Sequence, residues 1–256
     1  MSHVSFSALK TWSECPYKHK LSYVDRLPGF QGNEYTAFGT AIHDTCEKML
    51  VENLQERESF FRKRFEETIK ELPESIELRQ DLIQSMRQQG ESIIPHVLPA
   101  LEDYFGEYEV LEAEEALFED IREFEVEDVK FKGYIDLVIK TSDGKFHIID
   151  WKTCSWGWNA KKRSDKMVTY QLTFYKYYYA KKHNIDLKNI ETHFALLKRT
   201  AKSNKVEIFR VTSGNIKTNN AINFLKKALY NITNKIYLKN RLACNSCDFY
   251  KTEHCT

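Results

Sequence analysis

The chain has 256 residues, with 38 Lys and Arg against 37 Asp and Glu, 42% hydrophobic and 29% charged residues, and a mean hydropathy of −0.56. That length suffices for one large domain with its own core, and no apolar run approaches the roughly 20 residues of a membrane helix, which excludes a helical membrane protein and a membrane partner. The opening MSHVSFSALKTW has no basic segment followed by an apolar stretch, so the expectation is an intracellular, cytoplasmic chain.

In chain order, Ser5 or Ser7 can cap a short helix through Leu9 and Trp12 toward Cys15, with Pro16 breaking the pattern. A longer helix is predicted from about Gly39 through GTAIHDTCEKMLVENLQERESFFRKRFEETI, with Ile42, Cys46, Met49, Leu50 and Leu54 on one face, and more helix over about 75–104. From about 108 the period changes to alternation, predicting three strands, the last two joined at Ser142-Asp143-Gly144. DKMVTYQLTFYKYYYAKKH reads as a helix, IETHFALLKR and KVEIFRVT as strands, and NNAINFLKKALYNITNKIYLKN as a final amphipathic helix aligned on Ile222, Leu225, Leu229, Ile232 and Ile236. The order is α, β-meander, α, β, β, α. With no internal repeat and no low-complexity linker, it predicts one α/β domain over 1–256 with a helical elaboration at about 48–105.

Charge is unevenly divided: residues 151–256 carry 21 Lys and Arg against 6 Asp and Glu, net +15, and residues 1–150 carry 17 against 31, net −14. The basic half suits a polyanion, and equally suits helices that simply solvate one face. Six cysteines in an intracellular chain ask first about metals. Cys244, Cys247 and Cys255 form C-x2-C-x7-C at one end, Cys15 lies near the other, and Cys46 and Cys154 stand alone as small packing residues.

Alternation along IIDWKT puts Asp150 and Lys152 on one face of a strand and Trp151 on the other. The preceding strand carries Asp136 inside Tyr134-Ile135-Asp136-Leu137-Val138-Ile139, where an unpaired charge would be costly. A hairpin brings the two carboxylates together, and a hard divalent ion with water and phosphate oxygens would suit them, with Lys152 orienting or deprotonating a water. A lone D-x-K would equally serve an internal salt bridge. Other residues share the spacing: Gly39, His43 and Glu47 form an i+4 stripe in which the His43 imidazole can ligate metal, and Gln171 and Tyr175 share a helical face. In CSWGWNAKKRSDK, Trp156, Trp158, Lys161, Lys162 and Arg163 compose a candidate strand-binding loop, which would read equally as a solvated loop with one anchoring tryptophan. The tyrosine run 175–179 is expected to pack in the core, and the remaining histidines receive no role.

The ordered set of G-x3-H, G-x-I-D, D-x-K and Q-x3-Y, flanked by one early and three late cysteines, resembles the RecB-type nucleases of the PD-(D/E)XK superfamily. It is similar to their iron–sulfur subgroup, which contains the AddB nuclease domain and CRISPR-associated RecB-like exonucleases. The resemblance spans about residues 5–255. It implies a restriction-endonuclease-like α/β core with a mixed sheet flanked by helices. It further implies Mg²⁺ or Mn²⁺ held by His43, Asp136, Asp150 and the Trp151 carbonyl, with Lys152 positioning the nucleophilic water. Gln171 and Tyr175 would organise the site or contact DNA, and an extra acid on the preceding strand would be Glu115, or alternatively Glu114. Cys15, Cys244, Cys247 and Cys255 would hold a [4Fe-4S] cluster in a module joining about 5–20 to about 240–256. The x7 gap is longer than the family's, His254 competes as a ligand, and four thiolates by spacing alone suit zinc as well. The implied activity is exonuclease action on single-stranded DNA or DNA ends in recombination, repair or CRISPR adaptation, in a bacterial, archaeal or phage-infected cell, with a helicase, recombinase or adaptation protein as partner. The alternative is a non-cleaving DNA-binding subunit of such a complex. The chain carries no G-x4-G-K-[ST] phosphate loop and hence no ATPase of its own.

Overall fold

The computed structural model describes residues 3–121 and 129–256. A short strand β1 (His3–Ser5) leads into α1 (Phe6–Glu14), capped by the Ser5 hydroxyl, and α2 (Pro16–His19) follows, with the Cys15 sulfur as its cap. Four helices come next: α3 (Glu34–Val51), α4 (Arg57–Lys70), α5 (Gln80–Ile93) and α6 (Val97–Phe105). The strands β2 (Tyr108–Asp120), β3 (Lys130–Thr141) and β4 (Phe146–Cys154) precede α7 (Ala160–Ser164), α8 (Lys166–His183), β5 (Ile190–Lys198), β6 (Val206–Val211) and α9 (Asn215–Thr233). Among the described residues no helix is long and apolar enough to cross a membrane.

The expected α/β class with a mixed, helix-flanked sheet is what forms. β2 runs antiparallel along β3, whose other edge is shared: β1 pairs in parallel with Lys130–Lys132, and β4 pairs antiparallel with Leu137–Lys140 only. β5 then adds in parallel to β4 and β6 antiparallel to β5. Two apolar cores flank this sheet. Phe131, Ile135, Phe174, Tyr178 and Leu225 pack on one side with α1, α8 and α9; Phe38, Phe61, Phe65, Leu137 and Trp151 pack on the other with α3 to α6.

Three sequence expectations shift. The long N-terminal helix starts earlier, at Glu34, because Asn33 and Thr36 form a reciprocal capping box. It also breaks after Val51 rather than running on, since Asn53 takes a left-handed backbone (φ 49°) that polar residues tolerate best. Pro95, which lacks an amide hydrogen, divides the 75–104 helix into α5 and α6. The final helix stops at Thr233, before Lys235 at φ 56°, so Ile236 lies outside it.

Candidate active site

The acids singled out in the sequence meet where β3 and β4 part. Their ladder ends at Leu137 paired with Ile149, so the next residues along, Asp136 and Asp150, face a fork with no backbone partner across it. Asp136 fills that gap: its Oδ2 accepts the Trp151 backbone N–H at 2.7 Å, replacing the missing ladder bond. Alternation also slips here. Phe131, Ile135 and Val138 pack in the α8-side core while Leu137 and Ile139 pack in the other, and on β2 the residue facing Asp136 is Glu114, between the Ala113–Leu137 and Glu115–Ile135 pairs, at φ 54°. A non-glycine residue in the left-handed region marks local strain at this crossing point.

Around the fork, His43 comes from α3 with Nδ1 3.5 Å from Asp136 Oδ1, and the Lys152 ammonium contacts Asp150 Oδ2. Period-2 projection holds: Asp150 and Lys152 meet while Trp151 is buried in the opposite core. Burial pushes the Asp150 carboxyl upward, with Lys152 opposing and Asp136 reinforcing the shift. Burial acts on Asp136 too, but the hydrogen bond and charge of His43 outweigh it and hold that carboxyl low. The converse applies to the bases. Burial would lower His43 and Lys152, yet Asp136 raises the imidazole and Asp150 with Asp136 raises the ammonium. The buried Asp150 carboxylate, the largely buried Asp136 and the partly exposed His43 imidazole and Lys152 ammonium thus meet at the fork, and their hard O and N donors suit a divalent ion.

From α8, Gln171 Nε2 donates to the Tyr175 hydroxyl at 3.0 Å, and burial, with the Asp150 charge adding to it, raises that phenol. The Tyr175 ring lies against Gly133: a Cβ there would stand 2.7 Å from Tyr175 Cε1. The glycine of G-x-I-D is the seat for the tyrosine of Q-x3-Y, a relation between two motifs that spacing does not reveal.

Several expectations change. Glu115 is nearly buried, but its Oε1 meets Lys182 Nζ at 2.9 Å and His183 Nε2 at 2.6 Å, so it is committed to α8. Glu114 faces the other way: among the charges acting on Glu47 of α3, whose carboxyl burial pushes up, that of Glu114 is the largest. The strand-binding loop divides. Trp158 packs edge-on to Phe194 at 5.0 Å, and Arg163 bonds the Trp158 carbonyl at 2.8 Å and Glu207 at 2.6 Å, so both serve the core; Lys162 lies 4.6 Å over the Trp158 ring. Only Trp156, 74% exposed, and Lys161 project freely.

Cys15, Cys244, Cys247 and Cys255 carry free thiols and line one cavity. The Cys15 sulfur accepts backbone N–H groups from Lys18 at 3.4 Å and Asn240 at 3.3 Å. Cys46 is buried and Cys154 half-buried, neither lining that cavity. Sequence reasoning left His147 and His193 without a role; parallel pairing of β4 with β5 brings them together, Nδ1 to Nε2 at 3.1 Å, beside Glu191, whose carboxylate is bound by Lys145 and Arg210. That pairing carries no local sequence signal.

No curated protein matches the chain. Among solved structures, a candidate exonuclease from Eubacterium rectale aligns over 98% of this chain and 89% of its own at 12% identity with a TM-score of 0.63. SSO0001 aligns over 97% and 84% at 12% identity, with a TM-score of 0.45. The first supports the fold alone. The family model described as the PD-(D/E)XK nuclease superfamily matches residues 3–252, nearly the whole chain, and the chain belongs to that superfamily.

Proposed function

We propose that the protein is a metal-dependent deoxyribonuclease, an exonuclease on single-stranded DNA or DNA ends. The observation that supports this reading is the fork, where Asp136, Asp150, Lys152 and His43 from three elements come together. His43, Asp136 and Asp150 would hold Mg²⁺ or Mn²⁺. In an extended strand a residue's N–H and C=O point to the same edge, so the Trp151 carbonyl turns toward the fork with its N–H and can join them. A bound divalent ion supplies Lewis acidity toward the phosphate and a water of lowered pKa.

The chain's own groups do the rest. Lys152, held cationic by Asp150, orients a water and offsets charge building on the phosphate. Asp136, tied to the Trp151 amide, keeps the two strand ends at a fixed separation. Tyr175, kept protonated by burial, anchors Gln171 at the rim.

The four cysteines and the shared thiol cavity support a [4Fe-4S] cluster of the iron–sulfur RecB-like subgroup; when bound it cross-links the chain ends, and zinc is the competing occupant. A place in recombination, repair or CRISPR adaptation beside a helicase, recombinase or adaptation protein follows from that subgroup. The alternative, a non-cleaving DNA-binding subunit, requires a degenerate site, and no signature residue is missing.

The test is Asp150→Ala and Lys152→Ala, each with a native circular dichroism spectrum, assayed with Mn²⁺ on end-labelled linear and on circular single strands. Loss of cleavage is expected in both variants, and circular DNA should resist the parent protein. Full cleavage by Asp150→Ala would reject the site.

A further inference from the structure

We infer that the groove between α1 and the α7–α8 corner is the channel for a single DNA strand on its way to the fork, a proposal that rests on the nuclease reading. The groove has a volume of about 590 Å³ and reaches Lys152 and Gln171, so it is continuous with the candidate site. Its outer wall is one face of α1, bearing Ser7, Lys10 and Glu14; its inner wall carries Lys162 and Trp158. This size lies within the roughly 300–1,000 Å³ that holds a drug-sized molecule, room for a nucleotide or two and too little for a duplex.

The lining chemistry is that of a donor surface. Lys10 and Lys162 form no ion pair with the described residues, and Lys162 lies over the Trp158 ring. Glu14 is the one acid of the lining. Ammonium groups on both walls, with Lys152 at the inner end, suit a ligand rich in acceptor oxygens, and the phosphates flanking a scissile bond are such a ligand. At the far lip the Tyr23 ring, stacked on His19 with centroids 5.1 Å apart, is partly exposed and offers its other face to a base. The sequence motifs point to the 154–166 loop and to Gln171 and Tyr175; α1 joins them only through tertiary packing.

The experiment is fluorescence anisotropy of a 12-nucleotide labelled oligothymidylate, with Ca²⁺ in place of the active metal, over a series of salt concentrations. Each phosphate contact on a single strand contributes about 0.7 to the log–log salt slope. Lys10→Ala is therefore expected to lower the slope by about 0.7 and the Lys10→Ala/Lys162→Ala pair by about 1.4, with Kd raised about tenfold in the pair and Lys10→Arg restoring the slope. Thermal midpoints equal to the parent's establish that the variants fold. An unchanged slope and Kd in the pair overturns the channel, as does an equal loss measured with duplex DNA of the same length. Those results leave the nuclease reading standing if Asp150→Ala still abolishes cleavage, so the two failures are distinct.

Discussion

Replacing Gly133 by alanine tests the link between two motifs. The added Cβ would lie 2.7 Å from Tyr175 Cε1 and 3.3 Å from Phe131 Cε1. Ordinary carbon contacts begin near 3.5 Å, so the tyrosine ring must retreat by roughly 0.8 Å. It has little room: Tyr175 is 5% exposed, and Phe131 is itself stacked on Tyr178 with centroids 4.4 Å apart. Overpacking of this kind costs about 1–3 kcal/mol, a fall of roughly 2–12 °C in Tm for a chain of this size. The displaced phenol takes Gln171 with it, and a shift approaching 1 Å beside the chemistry can lower turnover by about 10²-fold. Urea denaturation and single-turnover cleavage of Gly133→Ala read the two effects. Tyr175→Leu in the same chain should recover most of the stability and none of the activity. A Gly133→Ala protein as stable and active as the parent would refute this account of the glycine.

Three further outcomes are expected. His19 is buried with neither ring nitrogen bonded, and burial lowers it to about 4 from 6.5; the fold holds the neutral form, so its contribution is intact above pH 6.5 and is lost as pH falls toward 4, on the order of 3 kcal/mol. The stability difference between the parent and His19→Phe, followed by urea melts from pH 7 to 4, should shrink or reverse by that amount as the pH drops. Glu115→Gln, which loosens a buried carboxylate from Lys182 and His183, should cost about 1–3 kcal/mol in a denaturation curve, with cleavage in the folded protein near parental, whereas Glu114→Ala should reduce cleavage. Cys15→Ala, purified without oxygen, should lose the bound metal and the visible absorbance of an iron–sulfur centre; metal analysis of the parent finding zinc and no iron would reject the cluster and leave the nuclease site untouched.

Most of the groups that meet at the fork were legible because their signals are local. Asp150 and Lys152 share a face by the strand period, His43 by the helical i+4 stripe, and the Asp143-Gly144 turn dictates which strands are neighbours. What resisted reading depends on contacts distant in sequence. The slip of alternation at Asp136 arises where β3 exchanges β1 for β4 along one edge, which no single strand announces. Glu114 and Glu115 are adjacent acids that differ only in the face they take. Trp158 and Arg163 look like binding residues until β5 and β6 supply Phe194, Phe209 and Glu207 to hold them.

The junction at Cys15 has a mechanical corollary. The end of α1 and the α2 turn that follows are clasped by the tail: the Asn240 side chain donates to the Glu14 carbonyl at 2.8 Å, and the Tyr17 hydroxyl of α2 donates to the His254 carbonyl at 3.2 Å. The helix so clasped bears Lys10 and Glu14. Clipping the polypeptide after Leu238 would leave every acid of the fork in place, yet unlatch this helix at its far end, so a protease cut there should blunt the grip on long strands before it touches the cutting chemistry.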